Sequence, residues 1–230
     1  MGTLRRVARL RIVLALLALL ALLAGCSRQA PAPPSAPPAP APPTAQAPAP
    51  AASAPLADAE RDAVLFTHWR AAHGDQIDAF EAFLVREKVA EVVPSYQLLR
   101  SASMWKECLA EPFELPPVAE WVRVRDLLVL LRELRERGVL PPFEVVSAYR
   151  DPRLNRCAGG AAGSSHQQFA VDIAPLSAPE GERLCRFWRE EGRAWDMGVS
   201  RYPSGRIHID RTGYRTWGAS HRRASSYCLA

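Results

Sequence analysis

The sequence predicts an α+β domain in which helices come first and a small sheet follows. Three observations carry this. From residue 60 to 137 the apolar side chains recur mostly with a helical period. After Gly138 and Pro141-Pro142, three short segments alternate or cluster apolar residues as strands do. No internal repeat or second linker divides residues 58–230, a length that suits one hydrophobic core and not two large ones.

The elements follow in order. Residues 1–25 carry Arg5, Arg6, Arg9 and Arg11, and residues 12–24 are an uncharged Leu/Ala run. That is the plan of a signal peptide, and the run is too short to span a bilayer comfortably. It ends in Leu22-Leu23-Ala24-Gly25-Cys26, which resembles a bacterial lipobox, with Cys26 the lipidated residue. Ser27 resembles an outer-membrane sorting signal, so the expected location is the periplasm, anchored to the outer membrane. Residues 26–57 are then a tether: residues 30–57 hold 11 prolines, 12 alanines and no charge. Such a chain favours polyproline II, at roughly 3.1 Å per residue. It serves either to reach the cell wall or as a passive spacer.

Residues 58–117 form an N-terminal helical segment. Val64, Leu65 and His68, then Ile77, Phe80, Phe83 and Leu84, are its expected inner face, and Pro94 breaks it. A second helix is expected over 96–105. Residues 118–230 form the core of the domain. Residues 118–137 are the strongest helix: Trp121, Val124, Leu128 and Leu131 follow the 3.6 period, and Leu127 and Leu134 widen the stripe. Strands are expected at 143–148 (FEVVSA), 169–174 (FAVDIA) and 206–210 (RIHID). Between the last two, Ser177-Ala178-Pro179-Glu180 is a capping box that opens a helix running to about residue 191.

The charge excludes one class of function. The formal +5 includes the four arginines before Cys26, where no acid occurs, and without them 25 basic residues face 24 acidic ones. A nearly neutral body argues against a nucleic-acid partner. Apart from Cys26 there are Cys108, Cys157, Cys185 and Cys228. Export implies two disulfides, with three pairings open. No pair has the spacing of a zinc or redox site.

Alternation within the strands gathers the polar residues that carry chemistry. In RIHID, Ile207 and Ile209 face one way and Arg206, His208 and Asp210 the other. In FAVDIA, Asp172 faces away from Phe169, Val171 and Ile173, between the small residues Ala170 and Ala174. A loop of small residues, 159–165, delivers His166 just before that strand. Two His and one carboxylate with an open position are a known form of catalytic zinc site.

Ser147-Ala148-Tyr149-Arg150, Asn155, Ser164-x-His166, Ala170-x-Asp172, and Met197-Gly198 through His208-Ile209-Asp210 to Trp217 together resemble the zinc D-Ala-D-Ala carboxypeptidases and related D,D-endopeptidases. These share a fold with the hedgehog signalling domain. The resemblance spans about residues 95–220. It implies a small, mostly antiparallel sheet with packed helices. It also implies zinc, held by His166, Asp172 and His208, and a peptidoglycan stem peptide as substrate, cut at a bond to a D-amino acid. Arg150 would hold a substrate carboxylate or polarise the scissile carbonyl, and Ser164 would hydrogen-bond the substrate.

Two departures stand out. The spacing from His166 to Asp172 is one residue shorter than usual in the family, near Gln168-Phe169 where a Gly commonly sits. A one-residue slip flips the faces of a strand, so the loop before Phe169 has to absorb it. Many members also carry a Glu, as general base, three residues before the last His, where Gly205 stands here. Asp210 is the substitute base or an acid that orients His208, and Asp196 is a weaker candidate. Two functions follow: a zinc D,D-peptidase, or a catalytically inactive lipoprotein of the same fold that binds peptidoglycan.

Overall fold

A computed structural model describes residues 54–229, with side chains from residue 62 onward. The expected signal peptide (1–25), Cys26 and nearly all of the tether (26–57) lie outside the described residues. Helix α1 spans Ala54–Arg86, so it takes in the last residues assigned to the tether. It breaks at His73, whose backbone is non-helical (φ −128°, ψ 16°) beside Gly74. The break turns the helix face. Ile77, Phe80, Phe83 and Leu84 are buried as expected, but in the first half Trp69 is buried while Val64 and His68 are exposed.

The second expected helix shrinks to α2, Ser95–Leu98. The chain then runs through turns to a single bridge between Arg100 and Phe113. A 3₁₀ turn at Val118–Glu120 leads into α3, Trp121–Glu136, which buries Val124, Leu127, Leu128, Leu130, Leu131 and Leu134. Removing any one of these leucines to Ala would cost about 2–5 kcal/mol. One continuous core runs from Trp69 to Cys228 and crosses the 117/118 boundary drawn from the sequence.

The sheet has five strands in the order β1-β2-β4-β3-β5: Val145–Ser147, Ala170–Ile173, Ile207–Asp210, Gly198–Arg201 and Arg215–Trp217. Every pairing is antiparallel except β3 with β5. This is the mostly antiparallel α+β architecture that the sequence implies. The strands β3 and β5 were not foreseen. Helix α4, Pro152–Cys157, is capped by the Asp151 carboxylate, which accepts from the Leu154 N–H at 2.6 Å. Helix α5, Ala178–Glu190, starts at the expected capping box, where the Glu180 carboxylate accepts from the Ser177 N–H at 2.8 Å. The cysteines pair as Cys108–Cys157 and Cys185–Cys228, which resolves the three alternatives.

Register decides what the sheet presents. Val171 lies opposite Ile209, and Ile209 opposite Val199, all buried in the core. On the other face a row crosses all five strands: Ser147, Asp172, His208, Ser200 and Trp217 are successive partners. The next row holds Ala170, Asp210, Gly198 and Arg215.

Candidate metal centre

Asp172 and His208 reach the site because they are direct partners across β2 and β4. His166 arrives from the 3₁₀ turn Ser165–Gln167, where the Ser164 hydroxyl accepts from the His166 N–H at 3.3 Å. The shortened spacing is absorbed at Phe169, whose φ of +128° is a conformation that L-residues rarely adopt. Its side chain is buried in the core and its N–H donates to the Ser165 carbonyl at 2.8 Å, so surrounding contacts hold the strain. Beyond it Ala170–Ile173 keep the expected faces.

The three groups converge. One donor atom from each of His166, Asp172 and His208 lies within 4.8 Å of the others, and all three residues are buried. Asp172 Oδ1 is 3.2 Å from His166 Nε2 and 3.0 Å from His208 Nδ1. The far nitrogens fix which lone pairs point inward. His166 Nδ1 is 2.6 Å from the Ala148 carbonyl, which can only accept, so that nitrogen carries the hydrogen. His208 Nε2 is 2.8 Å from Asp210 Oδ2, an ionised acceptor, and 3.0 Å from Ser165 Oγ. Two imidazole lone pairs and a carboxylate oxygen therefore face one another. That cluster repels itself unless a cation lies among the donors.

The electrostatics show a buried carboxylate that draws positive charge to itself. Burial pushes the His166 pKa down, and the attraction of Asp172 does not reverse it. Burial also lowers His208, but its hydrogen bonds to Asp172 and Asp210 outweigh this and raise it. Burial raises Asp172, yet His166 and His208 hold it well below the usual carboxylate range. His₂-carboxylate is a donor set that suits zinc.

The centre opens into a cavity of about 530 Å³. Its walls include Arg150, the loop 158–165, Ala102–Met104 and Trp217. Arg150 is beside the centre: its Nη2 donates to Asp172 Oδ2 at 2.7 Å and to Ser147 Oγ at 2.8 Å. Ser164 lines the cavity, as does Arg150. Asp210 does not. It is fully buried behind His208, and Thr212 and both terminal nitrogens of Arg215 also bind its oxygens. Asp196 is exposed in the turn before β3, away from the cavity.

A family model for Peptidase M15 matches residues 96–210, half of the chain. The chain belongs to the Peptidase M15 family. Membership makes this protein a hydrolase of the peptidase class, and the matched span includes Arg150, Ser164 and the three metal-donor residues. No curated protein and no solved structure matches the chain.

Sequence reasoning missed two contributors in this M15 peptidase. The Tyr202 hydroxyl is 3.2 Å from His208 Nδ1, at the centre itself, and burial pushes its pKa up. The turn after β3 folds it back, a step that no periodicity reveals. His221 is exposed but lines the cavity. The tail curls back because Cys228 is tied to α5.

Proposed function

We propose that this M15 peptidase is a zinc enzyme that hydrolyses bonds to D-amino acids in peptidoglycan stem peptides. We further propose that it works from a lipid anchor at Cys26 on the outer membrane. The observation that supports the reading is the convergence of His166, Asp172 and His208 lone pairs at the floor of a cavity.

Bound zinc would supply a Lewis acid and a water that ionises near neutral pH. The chain's own groups do the rest. His166 and His208 are pre-oriented by Ala148 and Asp210, so their donor atoms need no reorganisation. Arg150 is held by Asp172 and Ser147, and presents its guanidinium to the scissile carbonyl as charge develops on the oxygen. The Tyr202 hydroxyl is a second donor at that place. Ser164 receives the peptide backbone from the loop side.

Asp210 acts on His208, not on the substrate, because His208, Thr212 and Arg215 occupy its oxygens. Among the described residues, Asp172 is the sole carboxylate on the cavity wall. That favours the second reading, a module that binds stem peptides without cleaving them.

One experiment separates the two. Elemental analysis of the purified protein should find about one zinc per chain, lost in His166→Ala, Asp172→Ala and His208→Ala. Digestion of muropeptides by the zinc-loaded protein then reports either a shortened stem, an opened cross-link, or no product with binding intact. Zinc in none of the preparations, even after reconstitution, would defeat the metallopeptidase reading. Full activity in any of the three variants would defeat the site assignment.

A further inference from the structure

The cavity carries more positive charge than its own chemistry uses. Arg150, Arg206, Arg215 and Arg223 line it, against Asp172 alone. Two of these arginines are already neutralised: Arg150 by Asp172, and Arg215 by Asp210 behind the wall. Arg206 is not. It forms no ion pair with any described residue, although Asp62 and Glu144 lie in the adjoining cavity. Arg100 engages both of those acids, each at 2.7 Å.

Arg206 sits where the two cavities meet, since it lines both together with Ala102 and Ser103. Its Nη1 donates to Ser103 Oγ at 2.6 Å, which holds the half-buried side chain in place. Among the described residues the Nε–Nη2 edge of the fork has no hydrogen-bond partner, and that edge matches a carboxylate in two parallel hydrogen bonds. Arg206 stands just before β4, two residues ahead of His208, and at the rise of a strand their Cα atoms lie about 7 Å apart. An extended peptide covers that distance in about two residues.

We infer that Arg206, steadied by Ser103, is the anchor for a carboxylate of the substrate one or two residues from the bond to be cut. The preferred substrate is then a peptide acid and not an uncharged segment. The inference rests on the peptidase reading above and deepens it. Two sources supply that chemistry: the free C-terminus, as a carboxypeptidase would use, or an acidic side chain of the stem.

The test uses the full-length protein, stripped of metal so that nothing turns over. It is titrated with a stem pentapeptide as the free acid, with its C-terminus amidated, and with its side-chain carboxylates amidated. Wild type should prefer the free acid to one of the two amides by about tenfold to a hundredfold, the worth of one charge-assisted pair. Whichever amidation removes the preference names the carboxylate. Arg206→Ala should lose the preference and bind the matching amide as wild type does. Arg206→Lys should keep only part of it, because the charge remains and the fork does not. Ser103→Ala gives an independent, weaker loss should Arg206→Ala fail to fold. The same comparison in kcat/KM is made on the zinc-loaded chain.

An Arg206→Ala protein that still prefers the acid as strongly as wild type, or a wild type indifferent to amidation, overturns the inference and leaves the peptidase reading standing. A wild type that neither binds nor cleaves any of the peptides overturns both.

Discussion

Asp210 shows how one residue can shape a candidate metal site that it never enters. It sits behind His208 and fixes that imidazole with its Nδ1 lone pair toward Asp172. Asp210→Asn keeps the volume but removes the charge that binds the Nε2 hydrogen and neutralises Arg215. Zinc affinity should fall about 10–100-fold, read as faster loss to a competing chelator. Unchanged affinity would show that His208 needs no such support. Glu114 is a different case, outside the residues that line the cavity. Burial pushes its carboxyl up to about 7, and the Asp151 N–H that it accepts offsets only part of this. The folded chain thus holds this proton more tightly than the unfolded one. Its contribution to stability is full below pH 4.5 and is lost as pH rises through about 7. Glu114→Gln removes the penalty and keeps an acceptor for Asp151. Thermal melts should show the variant more stable than wild type at pH 8 by about 1 kcal/mol, discounted for the partly exposed site, and no more stable at pH 4. A variant equally destabilised at both pH values would mean that the carboxyl is not strained by ionisation.

Among the elements, β3 explains why the second row of the sheet works. Arg215 on β5 and Asp210 on β4 are two strands apart, and Gly198 of β3 lies between them. Their ion pair, 2.6 Å long, passes over the glycine, where a Cβ would come within 2.6 Å of Asp210 Oδ2. Gly198→Ala should therefore cost about 1–3 kcal/mol in denaturant unfolding and weaken zinc retention through Asp210 and His208. Retention equal to wild type would separate the β3 backbone from the metal site. The same strands show what the sequence could tell. RIHID and FAVDIA were legible because each buries one face and leaves chemistry on the other, so alternation put Asp172 and His208 on the polar faces and the family resemblance joined them in one site. GVSR and RTW have too few apolar residues to alternate, and tertiary pairing makes them strands. The first half of α1 was misread because one period was carried through a helix that turns at His73. Tyr202 and His221 were invisible for a related reason: a turn and a disulfide bring them to the cavity, and neither leaves a pattern along the chain.

For the whole molecule, each of the two disulfides ties down a segment that lines the cavity. Cys185–Cys228 ties the C-terminal turns to α5, and these turns bring His221 and Arg223 to the cavity. Cys108–Cys157 joins the 102–110 segment to the end of α4, from which the loop 158–165 departs. Ala102, Cys108 and Leu154 form a small buried cluster around that link, separate from the main core. Both linked segments line the cavity, yet no metal donor lies on either except His166 at the loop's far end. Stability and substrate contact should therefore respond to this bridge while the metal does not. A Cys108→Ala/Cys157→Ala double variant should lose about 2–5 kcal/mol in guanidinium unfolding, because a loop of this length is freed in the unfolded chain. Below the onset of unfolding it should still hold one zinc per chain. Its KM for stem peptides should rise with kcat little changed, because the freed walls touch the substrate before and during reaction alike. If zinc is lost along with substrate binding in the folded variant, the bridge supports the metal centre itself. The cavity walls would then not be mechanically separable from the floor.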